Sequence, residues 1–168
     1  MSCPGLPQPA LSEPLGARRF EPWWGSEAGW IYPLERDARR QYGAQLRRIE
    51  RPNMLIYIVD VSVTARSERV RVRVEFHRNP PYPTYKLAPS DYPRVFADVG
   101  AESPHRLLDD SLCLYHPSDP VERRWTPDKG LAELLHLAAR HLFAEDYWRS
   151  SNHRWPFDEA PHGLEEVA

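Results

Sequence analysis

The stretch NMLIYIVDVSVTARSERVRVRVEFH, residues 53–77, decides the fold class. Residues 53–65 form a nearly continuous apolar run rich in β-branched side chains, which is typical of a strand covered on both faces. Residues 69–77 alternate Val or Phe with Arg or Glu, which places every second side chain on a buried face. Because only a short polar turn separates the two runs, the sequence predicts an antiparallel hairpin with one face in a core.

Helical patterns flank this hairpin on both sides. Residues 33–50 carry apolar side chains at helical spacing, between prolines that delimit the segment. Residues 126–148 predict a second helix, with Thr126 as its N-cap and Pro127 in its first turn. The apolar stripe of this second helix consists of Leu131, Leu134, Leu135, Ala138 and Leu142. Each helix therefore has one face to bury against the sheet.

The connection between the hairpin and the second helix is rich in proline. Residues 78–93 combine prolines with tyrosines, and this density of proline excludes a long regular element. Residues 94–99 predict a third strand, and residues 112–116 predict a short fourth strand. The order is a helix, an antiparallel four-stranded meander, an irregular loop and a helix, which predicts an α+β fold.

Length and charge limit the possible functions. A chain of 168 residues fits one domain. We predict a Pro-rich arm at residues 1–30, whose tryptophans dock on the domain, and a domain with a short C-terminal tail at residues 31–162. A formal net charge of −2 argues against nucleic acid and against an anionic membrane surface as partners.

Cysteine usage and hydropathy predict a cytoplasmic protein. The first residues lack the apolar core of a signal peptide, and no apolar stretch approaches the ~20 residues of a transmembrane helix. Cys3 and Cys113 cannot build a disulfide framework, which favours a reducing compartment. No Cys-x-x-Cys pair occurs, and His136 and His141 are expected at the surface or the edge of the second helix. We therefore expect neither a metal site nor another cofactor.

Cys113 stands between two leucines, and this setting has two interpretations. A cysteine in such a position is often only a small buried hydrophobe. The prolines on both sides of it indicate an irregular loop, where a reactive thiol also fits. The local residues leave both interpretations open.

Several motifs that surround Cys113 resemble those of ubiquitin-conjugating enzymes. PRVFA begins at Pro93, and SPH at residues 103–105 stands where the family has His-Pro-Asn. LCL surrounds the cysteine, and WTP at residues 125–127 stands where the family has Trp-Ser-Pro before a helix. The resemblance covers roughly residues 35–147. It implies a UBC-like fold in which Cys113 carries an acyl group as a thioester.

The chain departs from the common family pattern at three places. His105 stands where the family has an asparagine that organises the loop and stabilises the oxyanion. The segment from Cys113 to Trp125 is longer than usual and contains His116. The residues after the second helix are too few for the two C-terminal helices of the family, so we expect these helices to be truncated.

These departures resemble the divergent bacterial members of the family found in cyclic-oligonucleotide antiphage signalling (CBASS) operons. The resemblance implies a partner, the CD-NTase or another ubiquitin-like carrier protein, which is bound through its C-terminus. The CD-NTase is a cGAS-like nucleotidyltransferase whose conjugation the protein would promote. An activating enzyme is a possible further partner, although such operons often lack a dedicated one.

The resemblance also assigns roles to individual residues. Cys113 would be the nucleophile, and His105 or His116 would donate to the oxyanion or act as a base, a choice that the sequence leaves open. Asp146 lies near the position where the family often has an acid that helps the attacking amine. The arginines at residues 69–73 form either a solvated strand face or a surface for an acidic partner.

Two other functions fit the same residues. A catalytically inactive variant that only binds a ubiquitin-like partner agrees with the altered His-Pro-Asn triplet and the truncated C-terminal end. A Cys–His hydrolase would pair Cys113 with His105 or His116. The chain contains no local cysteine-protease signature, which argues against the hydrolase.

Overall fold

The predicted hairpin forms the centre of the fold. In the computed structural model, which describes residues 22–25 and 27–157, strand β2 is Met54–Val61 and strand β3 is Val70–His77. The two strands pair antiparallel, and the side chains of β3 alternate between buried and more exposed positions. The hairpin and its buried face are therefore confirmed.

A strand on each side extends this hairpin to a sheet. Strand β1 is Arg47–Arg51 and strand β4 is Arg94–Phe96. Within the described residues, the four strands form one antiparallel sheet in the order β1-β2-β3-β4. With one helix before the sheet and one after it, the predicted α+β fold with a four-stranded meander is confirmed, and it agrees with a UBC-like fold.

The first helix is shorter than predicted. Helix α1 is Tyr32–Tyr42, so the prediction of a helix over residues 33–50 is wrong beyond Tyr42. Gly43 ends the helix with a φ of 54°, a conformation that glycine adopts at low cost, and a short 3-10 turn follows. The chain then enters β1, an edge strand whose backbone pairs with β2, with Arg47 and Arg51 exposed and Arg48 half-buried.

The fourth predicted strand is absent from the sheet. Residues 112–116 contribute only an isolated bridge between Leu112 and Arg106, and β1 takes the fourth place instead. The third predicted strand, residues 94–99, ends at Phe96. Asp98 has a φ of 45°, which turns the chain out of the extended conformation and ends the strand early.

The second helix supplies the apolar face that covers the core. Helix α2 is Gly130–Ser150 and packs against α1. A 3-10 turn, Pro127–Lys129, precedes it, and the predicted cap lies at this turn: Thr126 holds its N-cap position and Pro127 its first position, but the Thr126 side chain makes no capping hydrogen bond to the described residues. The predicted stripe is confirmed, because all its members are fully buried: Leu131, Leu134, Leu135, Ala138 and Leu142.

The described end of the N-terminal arm docks on the sheet, as predicted. Trp24 is buried, and the Trp23 indole N–H donates to the His77 carbonyl at 3.0 Å. The rest of the arm, residues 1–21, lies outside the described residues. In the part of the chain that the structure covers, no helix follows α2, and no helix has the length and hydropathy needed to cross a membrane.

Candidate functional site

Backbone hydrogen bonds attach the segment that carries Cys113 to the rest of the domain. The Leu112 amide donates to the Val95 carbonyl at 2.8 Å, which continues the pairing at β4. The Cys113 amide donates to the His105 carbonyl at 3.1 Å. Because these bonds hold the cysteine to two neighbouring segments, its side chain has a defined position after β4.

The Cys113 thiol is free and half-buried. It lines a small cavity together with Tyr92 and Arg94. Burial raises the pKa of the thiol, the positive charge of Arg94 opposes this rise, and the negative charge of Asp119 adds to it. The thiolate therefore forms less readily here than in water, and Arg94 is the group that favours it.

His105 lies opposite Cys113 along the backbone, and its ring packs on the C-terminal tail. The ring centroid is 4.4 Å from that of Trp155 and 6.4 Å from that of His141. His141 is buried on α2, so its expected place on the helix surface is wrong. The tail thus covers the face of the loop on which the His105 ring lies.

His116 belongs to a tight turn that fixes its tautomer. Its amide donates to Asp119 Oδ2 at 3.0 Å, and its Nδ1 accepts the Ser118 amide at 3.1 Å. Since Nδ1 is an acceptor, the neutral ring carries its proton on Nε2. His116 can therefore donate a hydrogen bond through Nε2 while Nδ1 stays within the turn.

Asp146 is held by ion pairs on α2. Its carboxylate accepts hydrogen bonds from Arg66 at 2.6 and 2.9 Å and from Arg149 at 2.7 Å. Burial alone would raise the pKa of this carboxyl, but the two guanidinium groups outweigh burial and lower the pKa. Asp146 is therefore an ionised group that joins α2 to the turn between β2 and β3.

A buried ion pair next to the thiol segment was missed by the sequence reasoning. Glu145 on α2 is fully buried, and its two oxygens accept from Arg106 Nε and Nη2, each at 2.9 Å. Arg106 Nη1 also donates to the Ala97 carbonyl at 3.1 Å. Burial alone would raise the pKa of Glu145, but its contacts with His141 and Arg106 lower it to about 2. This pair fastens the loop before Cys113 to α2.

Arg94 on β4 is a second buried arginine that the sequence reasoning did not single out. Its guanidinium lies over the ring of Tyr82 at 3.6 Å, and its Nε is 2.9 Å from Asp109 Oδ2. That contact is an ion pair without hydrogen-bond geometry, because Nε and Nη1 have no hydrogen-bond partner among the described residues. The position of Arg94 in the PRVFA motif was the available signal, since Arg94 begins β4, the strand to which the segment of Cys113 is hydrogen-bonded.

Metal-ligating side chains do not cluster in the described part of the chain. Residues 22–25 and 27–157 contain no group of three or more His, Cys, Asp or Glu side chains that could hold a metal ion.

The sequence of the chain matches one family model. The model describes the type II CBASS E2 protein and covers residues 35–163, which include Cys113, His105, His116 and Asp146. No curated protein and no solved structure matches the chain. Because the family match spans most of the chain, the protein belongs to the E2-CBASS family, the ubiquitin-conjugating-type proteins of type II CBASS antiviral defence.

Proposed function

We propose that this protein carries a protein C-terminal glycine as a thioester on Cys113 and promotes conjugation of the CD-NTase in antiphage defence. The observation that best supports this proposal is the free thiol within the family match, on a segment that hydrogen bonds attach to β4. The acyl donor is an activated glycine, either an adenylate or the thioester of an activating enzyme. We further propose that the protein acts in the cytoplasm, where reducing conditions keep the thiol free.

The reaction begins when the Cys113 thiol loses its proton. The thiolate Sγ attacks the carbonyl carbon of the activated glycine, a C–S bond forms, and the bond to the adenylate or donor sulfur breaks with its electron pair. An acceptor amine then attacks the thioester carbon, loses a proton and releases the thiolate. Both steps place negative charge on the carbonyl oxygen, where a single hydrogen-bond donor contributes about 10²–10³ in rate.

The two histidines suit different roles. His116 suits the donor role, because its Nδ1 accepts from Ser118 and its Nε2 carries the ring proton. His105 packs on Trp155, so we propose that it shapes the loop. Asp146 stays a prediction, since help to the attacking amine requires that its ion pairs with arginine open first.

A conjugation assay tests the proposal. A Cys3→Ser protein incubated with ATP, an activating enzyme and a CD-NTase that ends in glycine should form an adduct that thiol reagents release. Cys113→Ala should abolish this adduct, and Cys113→Ser should give an ester that resists thiol reagents. His116→Ala should slow adduct formation by about 10²-fold or more. An adduct that persists in Cys113→Ala would contradict the proposal.

A second candidate function is partner binding without catalysis. Burial raises the pKa of the Cys113 thiol, which keeps it protonated at neutral pH and agrees with an inactive variant. Alkylation distinguishes the two functions. If iodoacetamide fails to modify Cys113 at pH 8 in a protein that still binds the CD-NTase, the inactive variant is supported. Rapid modification of Cys113 by iodoacetamide supports the acyl-carrier function.

A further inference from the structure

Arg94 is buried next to the thiol with incomplete hydrogen bonding. Only 6% of its surface is exposed, and its guanidinium lies over the rings of Tyr82 at 3.6 Å and Tyr92 at 4.9 Å. Its charge is partly balanced by Asp109, yet Nε and Nη1 form no hydrogen bond of good geometry with the described part of the chain. A buried guanidinium normally has such acceptors, so this cation retains capacity to stabilise another negative group.

Arg94 and Cys113 line the same cavity. The cavity also contacts Tyr92 and has a volume of about 10 Å³, which is room for about one water molecule. It is too small for the carboxylate or phosphate of a substrate. The negative group that Arg94 can stabilise there is therefore the sulfur of Cys113 itself.

We propose that Arg94 is the charge-stabilising residue of the Cys113 thiolate. This inference rests on the proposed thioester function and adds a residue to it. In the first step Arg94 balances the charge on Sγ after the proton leaves and before the C–S bond forms. In the second step it stabilises the same thiolate as the leaving group when the acceptor amine displaces it.

Charges on the neighbouring segments act against one another at the thiol. The charged and titratable groups around it are Arg94 on β4, Asp119 in the following turn, Tyr92 before β4, and His105 opposite the cysteine. Asp109 weakens the effect of Arg94 because its carboxylate pairs with the guanidinium. Loss of the Arg94 charge should therefore make the thiolate harder to form, and loss of the Asp109 charge should make it easier.

The pH dependence of Cys113 alkylation by iodoacetamide tests the inference in the full chain with Cys3→Ser. Arg94→Met is expected to raise the midpoint of the alkylation profile by about one pH unit and to slow alkylation at pH 7 about tenfold. Arg94→Lys is expected to restore most of the rate, because lysine returns the positive charge. Asp109→Asn is expected to lower the midpoint.

A matched control separates this local effect from a general change of charge or fold. Arg73 on β3 lies 4.6 Å from the ring centroid of Phe96, so Arg73→Met also removes a cation stacked on an aromatic ring, and its midpoint should equal that of the parent protein. Thermal melting checks that each variant is folded. A folded Arg94→Met with an unchanged midpoint overturns the inference. If Arg94→Met does not fold, Asp109→Asn decides, and a midpoint that is unchanged or raised overturns it.

The alkylation assay is independent of the acyl reaction. It needs no acyl donor and no partner protein, so its outcome does not depend on whether a thioester forms. If Arg94→Met shifts the midpoint but no Cys113 adduct appears in the conjugation assay, the proposed function fails and the assignment of Arg94 to the thiolate stands. If the adduct forms and Arg94→Met leaves the midpoint unchanged, only the assignment of Arg94 fails.

Discussion

Arg94 and Arg106 are both buried beside the segment that carries Cys113, but their partners differ. Arg106 uses three nitrogens: Nε and Nη2 donate to Glu145 at 2.9 Å, and Nη1 donates to backbone and side-chain oxygens. Arg94 faces aromatic rings and the partly exposed carboxylate of Asp109. Two of its nitrogens form no well-aligned hydrogen bond with the described residues.

This difference indicates that the Arg106 cation stabilises the fold, whereas the Arg94 cation can stabilise a negative charge on the thiol. The hydrogen bonds of Arg106 join the loop, the segment after β4 and α2, so its buried N–H groups all have acceptors within the fold. The charge of Arg94 is only partly balanced and lies beside the thiol. Burial alone does not distinguish the two arginines, whereas the number of their satisfied donors does.

The largest expected effect comes from breaking the Arg106–Glu145 pair. Arg106→Met or Glu145→Gln should lower the free energy of unfolding by about 3–5 kcal/mol, because either change leaves the other group buried without its closest ionic partner. Chemical denaturation measures this loss. The double variant Arg106→Met/Glu145→Leu should recover part of it, since no unpaired charge remains. A single-variant loss below about 1 kcal/mol would contradict the structural role of the pair.

Acid should weaken the same pair. The pKa of Glu145 is lowered to about 2 in the folded protein, against about 4.3 in an unfolded chain. The ionised carboxylate therefore contributes on the order of 3 kcal/mol, which is fully present above pH 4.3 and is lost as the pH falls through 2. The difference in unfolding free energy between the parent protein and Glu145→Gln, measured from pH 5 to pH 2, should shrink in this window. A constant difference would show that Glu145 does not titrate as stated.

Replacing Arg94 should cost less stability than replacing Arg106. Arg94→Met removes a cation–π contact worth about 1–2 kcal/mol, while Met still fills space over Tyr82, and the partly exposed Asp109 carboxylate can turn to water. Urea denaturation of the two Met variants compares them directly. A loss for Arg94→Met equal to that for Arg106→Met would place both arginines in the same structural class.

The exposed Arg71 should show the smallest loss of stability among the arginines compared. Arg71 pairs with Asp60 across β2 and β3 at 2.9 Å, and both side chains are largely accessible to solvent. Arg71→Ala should lower the free energy of unfolding by less than about 1 kcal/mol, because exposed ion pairs contribute little. The same denaturation series checks this value. A loss above that of Arg94→Met would mean that burial does not order these three arginines.

The parts of the fold with a strong period could be predicted from the sequence. Residues 70–76 alternate and α2 carries one continuous apolar stripe, so both agree with the structure. The segment RRIER at β1 could not be predicted, because an accessible edge strand has no clear apolar alternation. Its single apolar residue, Ile49, also fits the spacing of the preceding helix, and only Gly43 indicated that the helix ends.

The candidate site was predictable at the thiol and less so around it. The motifs near Cys113 placed it after β4, where the structure has it. Glu145 had a local signal, since it stands seven residues after Ala138 on the buried face of α2. Its partner Arg106 lies 39 residues away in the chain, and no local pattern joins positions at that distance. The contact between Trp155 and His105 also joins residues far apart in the chain, so no local pattern predicts it.

The backbone bonds at Cys113 have a further consequence for catalysis. The Leu112 amide donates to Val95 and the Cys113 amide donates to His105, so both N–H groups already have acceptors inside the protein. Acyl-transfer sites often bind the carbonyl oxygen in a cradle of main-chain amides near the nucleophile. These two amides are not available for such a cradle while the bonds persist. In the proposed thioester reaction, stabilisation of the oxyanion therefore falls to side chains, to other main-chain amides or to groups that a partner protein brings.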